Sequence, residues 1–105
     1  MASWLDKAFE YGIFRGNKLA YENVLDKLKF EYEGRLFVGN LKKFKEEVAR
    51  ASGISERQVH NIIQNLREKG IIEAVIIGNK EYLVLSKTFG SRLVKMGRTY
   101  WDWLR

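Results

Sequence analysis

"ASGISERQVHNIIQNLREKGII", residues 51–72, is the segment that decides the fold. It starts with a turn at Gly53, continues as a helix that Ser55 can cap, and ends at Gly70 before two β-prone isoleucines. Because serine favours the N-cap and glycine the position just after a helix, we expect a helix over residues 55–69. The apolar residues recur at three- and four-residue steps and predict one buried face: Val59, Ile62, Ile63 and Leu66.

The opposite side of this helix, which we call the polar face, is poor in acids. It consists of Arg57, Gln58, His60, Asn61, Gln64, Asn65 and Arg67. A merely solvated helix more often mixes Glu and Lys, because these residues form i,i+4 pairs. Arginine and the amides are the side chains that match base edges in the DNA major groove, and an α-helix fits that groove. We therefore expect the polar face to read DNA or at least to dock against it.

The flanking segments give the order of elements around this helix. The same periodicity predicts helices over 3–14, 18–33, 41–52 and 88–104. Residues 35–39 are few and β-prone, with a glycine on each side, and predict a short strand. The segments "IIEAVII" and "KEYLVLS" are β-rich, and Gly78 and Asn79 join them as a two-residue link typical of a β-hairpin. The fold class is therefore α+β and mostly helical.

These elements resemble a winged helix-turn-helix domain over residues 41–86. The features that carry the resemblance are small Ala49 near the end of the first helix, Gly53 and Ile54 in the turn, the "L-x-x-K-G-I-I" exit after the second helix, and the hairpin as wing. The sequence is similar to MarR-like, ArsR-like and PadR-like regulators of bacteria and archaea. The resemblance implies one domain over 1–105, with its core at 18–86 and additional N- and C-terminal helices.

The same resemblance assigns residues to a DNA interface. It implies base contacts from the polar face: Arg57, Gln58, Asn61 and Asn65. It implies contacts to the DNA backbone from the helix start, the supporting helix and the wing: Lys42, Lys43, Lys45, Ser55, His60 and Lys80. The wing departs from the usual pattern because it is short and also bears Glu81.

Aromatic residues are concentrated at the two ends of the chain. Eight of the fourteen lie within residues 1–14 and 89–105. In the regulators that the sequence resembles, the outer helices form a dimer interface, which implies such a role here for Trp4, Phe9, Tyr100, Trp101 and Trp103. A homodimer would place two recognition helices about 34 Å apart on a pseudo-palindromic site. The alternative is a monomer whose terminal helices fold back onto one core.

The charge distribution favours a polyanionic partner. The formal net charge is +6, and the surplus of cations lies in residues 41–69 and 87–98. The second region holds Lys87, Arg92, Lys95 and Arg98 without an acid. An electropositive surface attracts nucleic acid through counterion release, although a solvated surface that only maintains solubility has the same composition.

Several function classes are disfavoured by what the sequence lacks. Cysteine is absent and His60 is the one histidine, which excludes disulfides, thiolate nucleophiles and the usual zinc sites. Without a Gly-rich phosphate loop or an isolated carboxylate pair, we expect no catalysis and no cofactor. No apolar run approaches the ~18 residues of a membrane span, and no secretion signal is evident, which favours a cytoplasmic protein. An archaeal or thermophilic source would suit the composition, as would a mesophile.

The sequence therefore predicts a non-enzymatic, sequence-specific regulator of transcription that binds double-stranded DNA as a homodimer, with helix 55–69 in the major groove. Two alternatives stay open. One is an architectural or replication-associated nucleic-acid binder without base readout, and the other is a winged helix used for protein contacts. The sequence does not identify a small-molecule effector.

Overall fold

The computed structural model describes residues 3–87 and 97–104. Within those ranges the chain forms five α-helices and three β-strands. They are α1 (Ser3–Glu10), α2 (Lys18–Asp26), β1 (Arg35–Phe37), α3 (Leu41–Ser52), α4 (Glu56–Glu68), β2 (Ile72–Ile77), β3 (Lys80–Leu85) and α5 (Gly97–Leu104). The winged helix-turn-helix architecture predicted from the sequence, α+β and mostly helical with extra terminal helices, is confirmed.

The turn between α3 and α4 follows directly from its residues. Gly53 ends α3 in the left-handed conformation with φ +67°, which glycine adopts without the steric cost of a Cβ atom. The N–H of Ile54 then donates to the carbonyl of Ala49 at 3.1 Å. Ser55 caps α4 through its side chain. The predicted helix over 55–69 is thus present, with its two end residues acting as caps.

The three strands form an antiparallel sheet in the order β1, β3, β2. Gly78 and Asn79 connect β2 to β3, and both have positive φ, +57° and +70°. A two-residue hairpin loop of type I′ requires positive φ at both positions. β1 pairs with β3, placing Leu36 opposite Leu83. The β2–β3 hairpin is the wing, and it projects from a sheet whose base is buried.

The core fixes which side of α4 faces solvent. All four residues of its predicted buried face are buried: Val59, Ile62, Ile63 and Leu66. Each such side chain contributes about 1.5–3 kcal/mol relative to an exposed position. Phe44 and Val48 of α3 are buried in the same core. Rotating α4 to hide its polar face would expose this aliphatic set, so the polar face is held outward.

The two terminal helices pack against each other. Trp4 of α1 is fully buried, and its ring makes edge contacts with Tyr100 at 5.1 Å and Trp103 at 5.5 Å between centroids. Tyr100 is also fully buried, and its hydroxyl donates to the carbonyl of Ser86 at 2.5 Å. Burial, and secondarily the carboxylate of Glu73, raises the pKa of Tyr100. This hydrogen bond ties α5 to the end of β3.

The N-terminal helix is shorter than the predicted 3–14. α1 ends at Glu10 because Gly12 adopts the left-handed conformation, φ +74°, and the N–H of Ile13 returns to the carbonyl of Ala8 at 2.9 Å. Residues 11–17 therefore form a turn, which we call the N-terminal turn.

Other boundaries also differ from the predicted ones. The helix expected over 18–33 leaves α-helical geometry after Asp26 and continues as a π-helical turn, Lys27–Glu31. Within that turn Lys27 pairs with Glu31 at 2.6 Å and with Glu47 of α3 at 3.5 Å, which fastens the segment to α3. The π-helical turn thus makes a tertiary contact with α3, which the local sequence periodicity does not reveal.

The strand expected over 35–39 ends at Phe37, after which a 3-10 turn, Val38–Asn40, leads into α3. Of the predicted helix 88–104, residues 88–96 lie outside the described residues, and α5 is its last part. Arg92 and Lys95 of the basic run likewise lie outside the described residues.

Candidate nucleic-acid interface

Asn61 lies at the middle of the polar face. Successive residues of an α-helix are about 100° apart, so Arg57 and Asn65, one turn before and after Asn61, lie about 40° to either side of it. All three residues are exposed. The buried Val59 and Leu66 lie on the opposite side of the helix. The structure therefore brings three of the four predicted base-contacting residues onto one outward ridge.

Arg57 and Asn61 are the two predicted base contacts whose side chains are uncommitted. Both are exposed, and neither side chain makes a hydrogen bond or ion pair with any residue in the ranges 3–87 and 97–104. A guanidinium group can donate two parallel hydrogen bonds to guanine, and a carboxamide can bind adenine with one donor and one acceptor. These two groups can therefore meet base edges without first breaking a contact within the described fold.

Gln58, a predicted base contact, already has a structural role. Its Oε1 accepts from the N–H of Ser55 at 2.9 Å, while the Ser55 hydroxyl accepts from the N–H of Gln58 at 3.1 Å. This reciprocal capping box satisfies donors that the first turn of a helix otherwise leaves unpaired. Only the Nε2 group of Gln58 then remains to bind a base. The Ser55 hydroxyl is already used to cap α4, so it is not free for a phosphate.

Asn65 is also tied to the fold. Its Nδ2 donates to the hydroxyl of Tyr21 at 3.0 Å, a bond that joins α4 to α2 across 44 positions of sequence. Tyr21 is buried, and its ring lies 4.9 Å from that of Phe14 in the N-terminal turn. The bond leaves the Oδ1 acceptor of Asn65 for an external donor. Both a structural and a DNA-binding role are compatible with the exposure of Asn65.

His60 and Lys45 form a polar contact between the two helices of the motif. Lys45 Nζ lies 3.1 Å from His60 Nδ1, at an exposed position. Because an ammonium group can only donate, Nδ1 is the acceptor, and a neutral ring carries its proton on Nε2. The second ring nitrogen is thereby presented as a donor. Both residues were predicted to contact the DNA backbone, and the structure places them together.

The start of α3 carries two exposed lysines that helix stability does not explain. Lys42 and Lys43 are exposed, the first turn contains no acid, and Asn40 at the N-cap makes no side-chain capping bond. Cations at a helix N-terminus oppose the helix dipole and cost about 0.3–1 kcal/mol each. The stability of α3 therefore does not account for the position of these two lysines.

The wing presents an apolar tip. Ile76 is 76% exposed and Ile77 is 43% exposed, beside the turn that joins the strands. Lys80, the predicted backbone contact of the wing, is exposed and its Nζ lies 5.5 Å from the centroid of the Phe37 ring. Glu81 pairs across the hairpin with Ile76. Lys80 is the single cation of the hairpin, so the wing contributes little positive charge.

Two depressions flank α4, and Asn61 borders both. One, of about 510 Å³, lies toward α3 and is lined by Lys45, Glu56, Arg57, His60 and Asn61. The other, of about 170 Å³, lies toward the N-terminal turn and is lined by Arg15, Asn17, Tyr21, Ile54, Gln58, Asn61, Ile62 and Asn65. Sequence reasoning missed Arg15 and Asn17. The only local signal was a cation beside Gly16, and nothing in the sequence shows that this turn reaches α4.

The residues predicted for a dimer interface divide into two groups. Trp4 and Tyr100 lie wholly inside the chain's own core, so they stabilise the fold and offer no surface to a partner. Phe9, Trp101 and Trp103 are partly buried. The ring of Phe9 contacts Tyr21, and Trp103 lies against Trp4. Of the five predicted residues, these three are the ones that expose part of their surface.

In the described part of the chain, no group of three or more His, Cys, Asp or Glu side chains could hold a metal ion. None of the helices in that part is sufficiently long and apolar to cross a bilayer.

The fold is similar to that of MepR, a transcription regulator of the Staphylococcus aureus multidrug efflux pump MepA. The TM-score is 0.50 at 14% sequence identity, and the similarity covers 95% of this chain and 64% of the MepR chain. The chain thus spans less than two thirds of the length of MepR. No protein-family model and no curated protein matches the sequence. At this identity the similarity shows the winged helix-turn-helix fold.

Proposed function

We propose that this protein is a regulator of transcription that binds double-stranded DNA by inserting α4 into the major groove. The observation that carries the proposal is the outward ridge of α4, where Arg57 and Asn61 are exposed and uncommitted within the described structure. These are the residue types that discriminate bases, by about 1–3 kcal/mol for each well-formed pair. The fold similarity to a transcription regulator supports the same reading.

Cations around the ridge supply the contacts to phosphate. Lys42, Lys43 and Lys45 lie on α3, where Lys45 contacts His60 of the polar face, and Lys80 lies on the wing. Phosphate contacts position a protein on DNA without reading sequence, so these lysines fix the register in which Arg57 meets the bases. No catalytic step is part of this function.

A homodimer is part of the proposal. The partner contact would form at α1 and α5, through the exposed parts of Phe9, Trp101 and Trp103, because the rest of this aromatic cluster is sealed within one chain. Two copies related by a two-fold axis would read two half-sites about 34–36 Å apart. Size-exclusion chromatography with light scattering measures the mass directly.

Selection of bound sequences from a randomised duplex pool is the test of the function. A pseudo-palindromic consensus is the expected result, together with an affinity that falls steeply as salt rises. Asn61→Ala should lose discrimination at one base position in each half-site. Asn40→Ala is the matched control, because this exposed amide lies off α4 and makes no capping bond. Absence of binding to any duplex at low ionic strength would refute the proposal and favour a protein-interaction module.

One observation favours a second candidate, a DNA binder with weak sequence preference. Gln58 and Asn65 are partly used by the capping box and by the bond to Tyr21, which leaves fewer groups for base readout. The selection separates the two candidates. A pool that is retained at low salt without any enriched sequence, and an Asn61→Ala variant that binds as the wild type does, would support the architectural role.

A further inference from the structure

We propose that the N-terminal turn is a second phosphate-binding element, with Arg15 contacting the DNA strand on the side of α4 opposite to Lys45. The inference rests on the proposed function and adds a residue that holds α4 in the groove.

The two depressions beside α4 lie on opposite flanks of that helix. Taking Asn61 as the reference, the helical period places Glu56 and His60 on one side, and Gln58 and Ile62 on the other. The first pair lines the depression that contains Lys45, and the second lines the depression that contains Arg15. Arg15 and Lys45 therefore straddle the ridge that carries the candidate base contacts.

A helix in the major groove needs cations on both of its flanks. The groove is about 12 Å wide and has a phosphate backbone along each edge, so an inserted helix has one strand on either side. Lys45 serves the flank formed by α3. On the other flank, Arg15 is the only charged residue among the described residues that line the depression, and none of those residues is an acid. The Lys45 depression, by contrast, includes Glu56. It also includes Arg57, so the described residues that line each depression carry a formal charge of +1.

The fold holds Arg15 in this place through its neighbours in the turn. Phe14 is 3% exposed, and its ring packs on Tyr21, the residue whose hydroxyl binds Asn65 of α4. Gly16 follows with φ +104°, which redirects the chain in a conformation open to glycine. Asn17 then caps α2, its Oδ1 accepting from the N–H of Ala20 at 3.1 Å. The backbone on both sides of Arg15 is therefore anchored.

An ion pair closes the base of the N-terminal turn. Asp6 of α1 pairs with Lys18 of α2. The carboxylate of Asp6 is therefore already neutralised by a cation other than Arg15. Arg15 itself is exposed and has no ion-pair partner within residues 3–87 and 97–104. An exposed cation on an anchored backbone, beside a binding ridge, is suited to an external phosphate.

Fluorescence anisotropy across a salt series tests this inference. The probe is a labelled duplex of about 30 base pairs carrying the selected consensus, or mixed sequence if no consensus emerges, long enough for two half-sites. Removing one phosphate contact should reduce the slope of log K against log salt by about 0.9 and the affinity about fivefold at 0.15 M salt, so a homodimer that loses one contact in each half-site should lose about 1.8 in slope and about 25-fold in affinity. We expect this of Arg15→Gln. Arg35→Gln is the matched control, because this exposed arginine lies on β1 and not at α4.

A neutral-phosphate scan then identifies the strand. Methylphosphonate groups, placed one at a time along each strand of the probe, should weaken binding of the wild type at contacted positions. Arg15→Gln should remove the sensitivity at a position on one strand of a half-site, and Lys45→Gln should remove it at a position on the other strand. Loss on the same strand for both variants would overturn the inference.

The outcomes separate the inference from the function on which it rests. Arg15→Gln with the slope and affinity of Arg35→Gln, while Lys45→Gln lowers both, would refute the role of Arg15 and leave the proposed function standing. No binding by the wild type at low salt would refute both. Unchanged thermal unfolding of Arg15→Gln, expected for an exposed side chain, excludes misfolding as the cause of a loss.

Discussion

Replacing Tyr21 by phenylalanine isolates the hydrogen bond that joins Asn65 of the polar face to α2. Tyr21 is 2% exposed, and its hydroxyl accepts from Asn65 Nδ2 at 3.0 Å. Tyr21→Phe keeps the ring against Phe9 and Phe14 and removes only the oxygen. Because Asn65 is exposed, water can replace the lost acceptor, so no buried donor is left unpaired.

The expected loss is therefore at the low end of the range for a hydrogen bond, about 0.5–1 kcal/mol of unfolding free energy. For a domain of this size, about 1 kcal/mol corresponds to a shift of about 4–8 °C in Tm. Urea unfolding followed by tryptophan fluorescence measures the free energy. A double-mutant cycle with Asn65→Ala should return a coupling energy of similar size, since both single changes remove the same bond.

Additive effects in that cycle would refute the reasoning, because they would show that the bond does not couple α2 to α4. DNA binding gives an independent check. Tyr21→Phe should leave affinity within about twofold of the wild type, since a buried hydroxyl cannot reach a duplex and a change of that size is less than about 0.5 kcal/mol. Asn65→Ala, in contrast, should relax discrimination at one base position if its Oδ1 is used in readout.

Three further predictions concern stability. Because the pKa of Tyr100 is raised in the fold, the protonated hydroxyl contributes its full stabilisation below the ordinary pKa of 10.0, and this stabilisation is lost as pH rises above that value. In urea unfolding, the difference in unfolding free energy between wild type and Tyr100→Phe should therefore narrow at alkaline pH. Gly53→Ala should lose about 1–2 kcal/mol from the left-handed conformation alone, because an added Cβ would meet nothing within 4 Å; an unchanged Tm would contradict this. Leu66→Ala should lose about 2–5 kcal/mol by calorimetry, since this side chain is fully buried.

The parts of the fold that the sequence predicts well are those set by adjacent residues. Ser55 and Gly70 bracket α4, Gly53 ends α3, and a Gly-Asn pair makes the hairpin turn, all through conformations that one or two residues impose. The aliphatic period of α4 determines its buried side, so the direction of the polar face also follows from the sequence.

The parts that the sequence does not reveal depend on contacts between distant residues. Asn65 looks identical to Asn61 in the sequence, yet only Asn65 meets Tyr21, 44 positions earlier. Arg15 lies in a turn that reaches α4 only because Phe14 packs on that same tyrosine. The burial of Trp4 likewise results from its packing against α5. Each is a tertiary contact for which no local pattern exists.

Because part of the polar face is used in contacts within the fold, strong sequence specificity should depend on dimerisation. With Gln58 and Asn65 partly used by the fold, readout falls mainly to Arg57 and Asn61. Two good pairs discriminate by about 2–6 kcal/mol, whereas specific DNA binding typically exceeds nonspecific binding by about 4–10 kcal/mol. One copy therefore reaches only the lower part of that range, while two copies on a two-fold site double the discrimination to about 4–12 kcal/mol. A monomer that nevertheless selected one sequence strongly would require base contacts beyond these two residues, and the free groups of Gln58 and Asn65 are the nearest source.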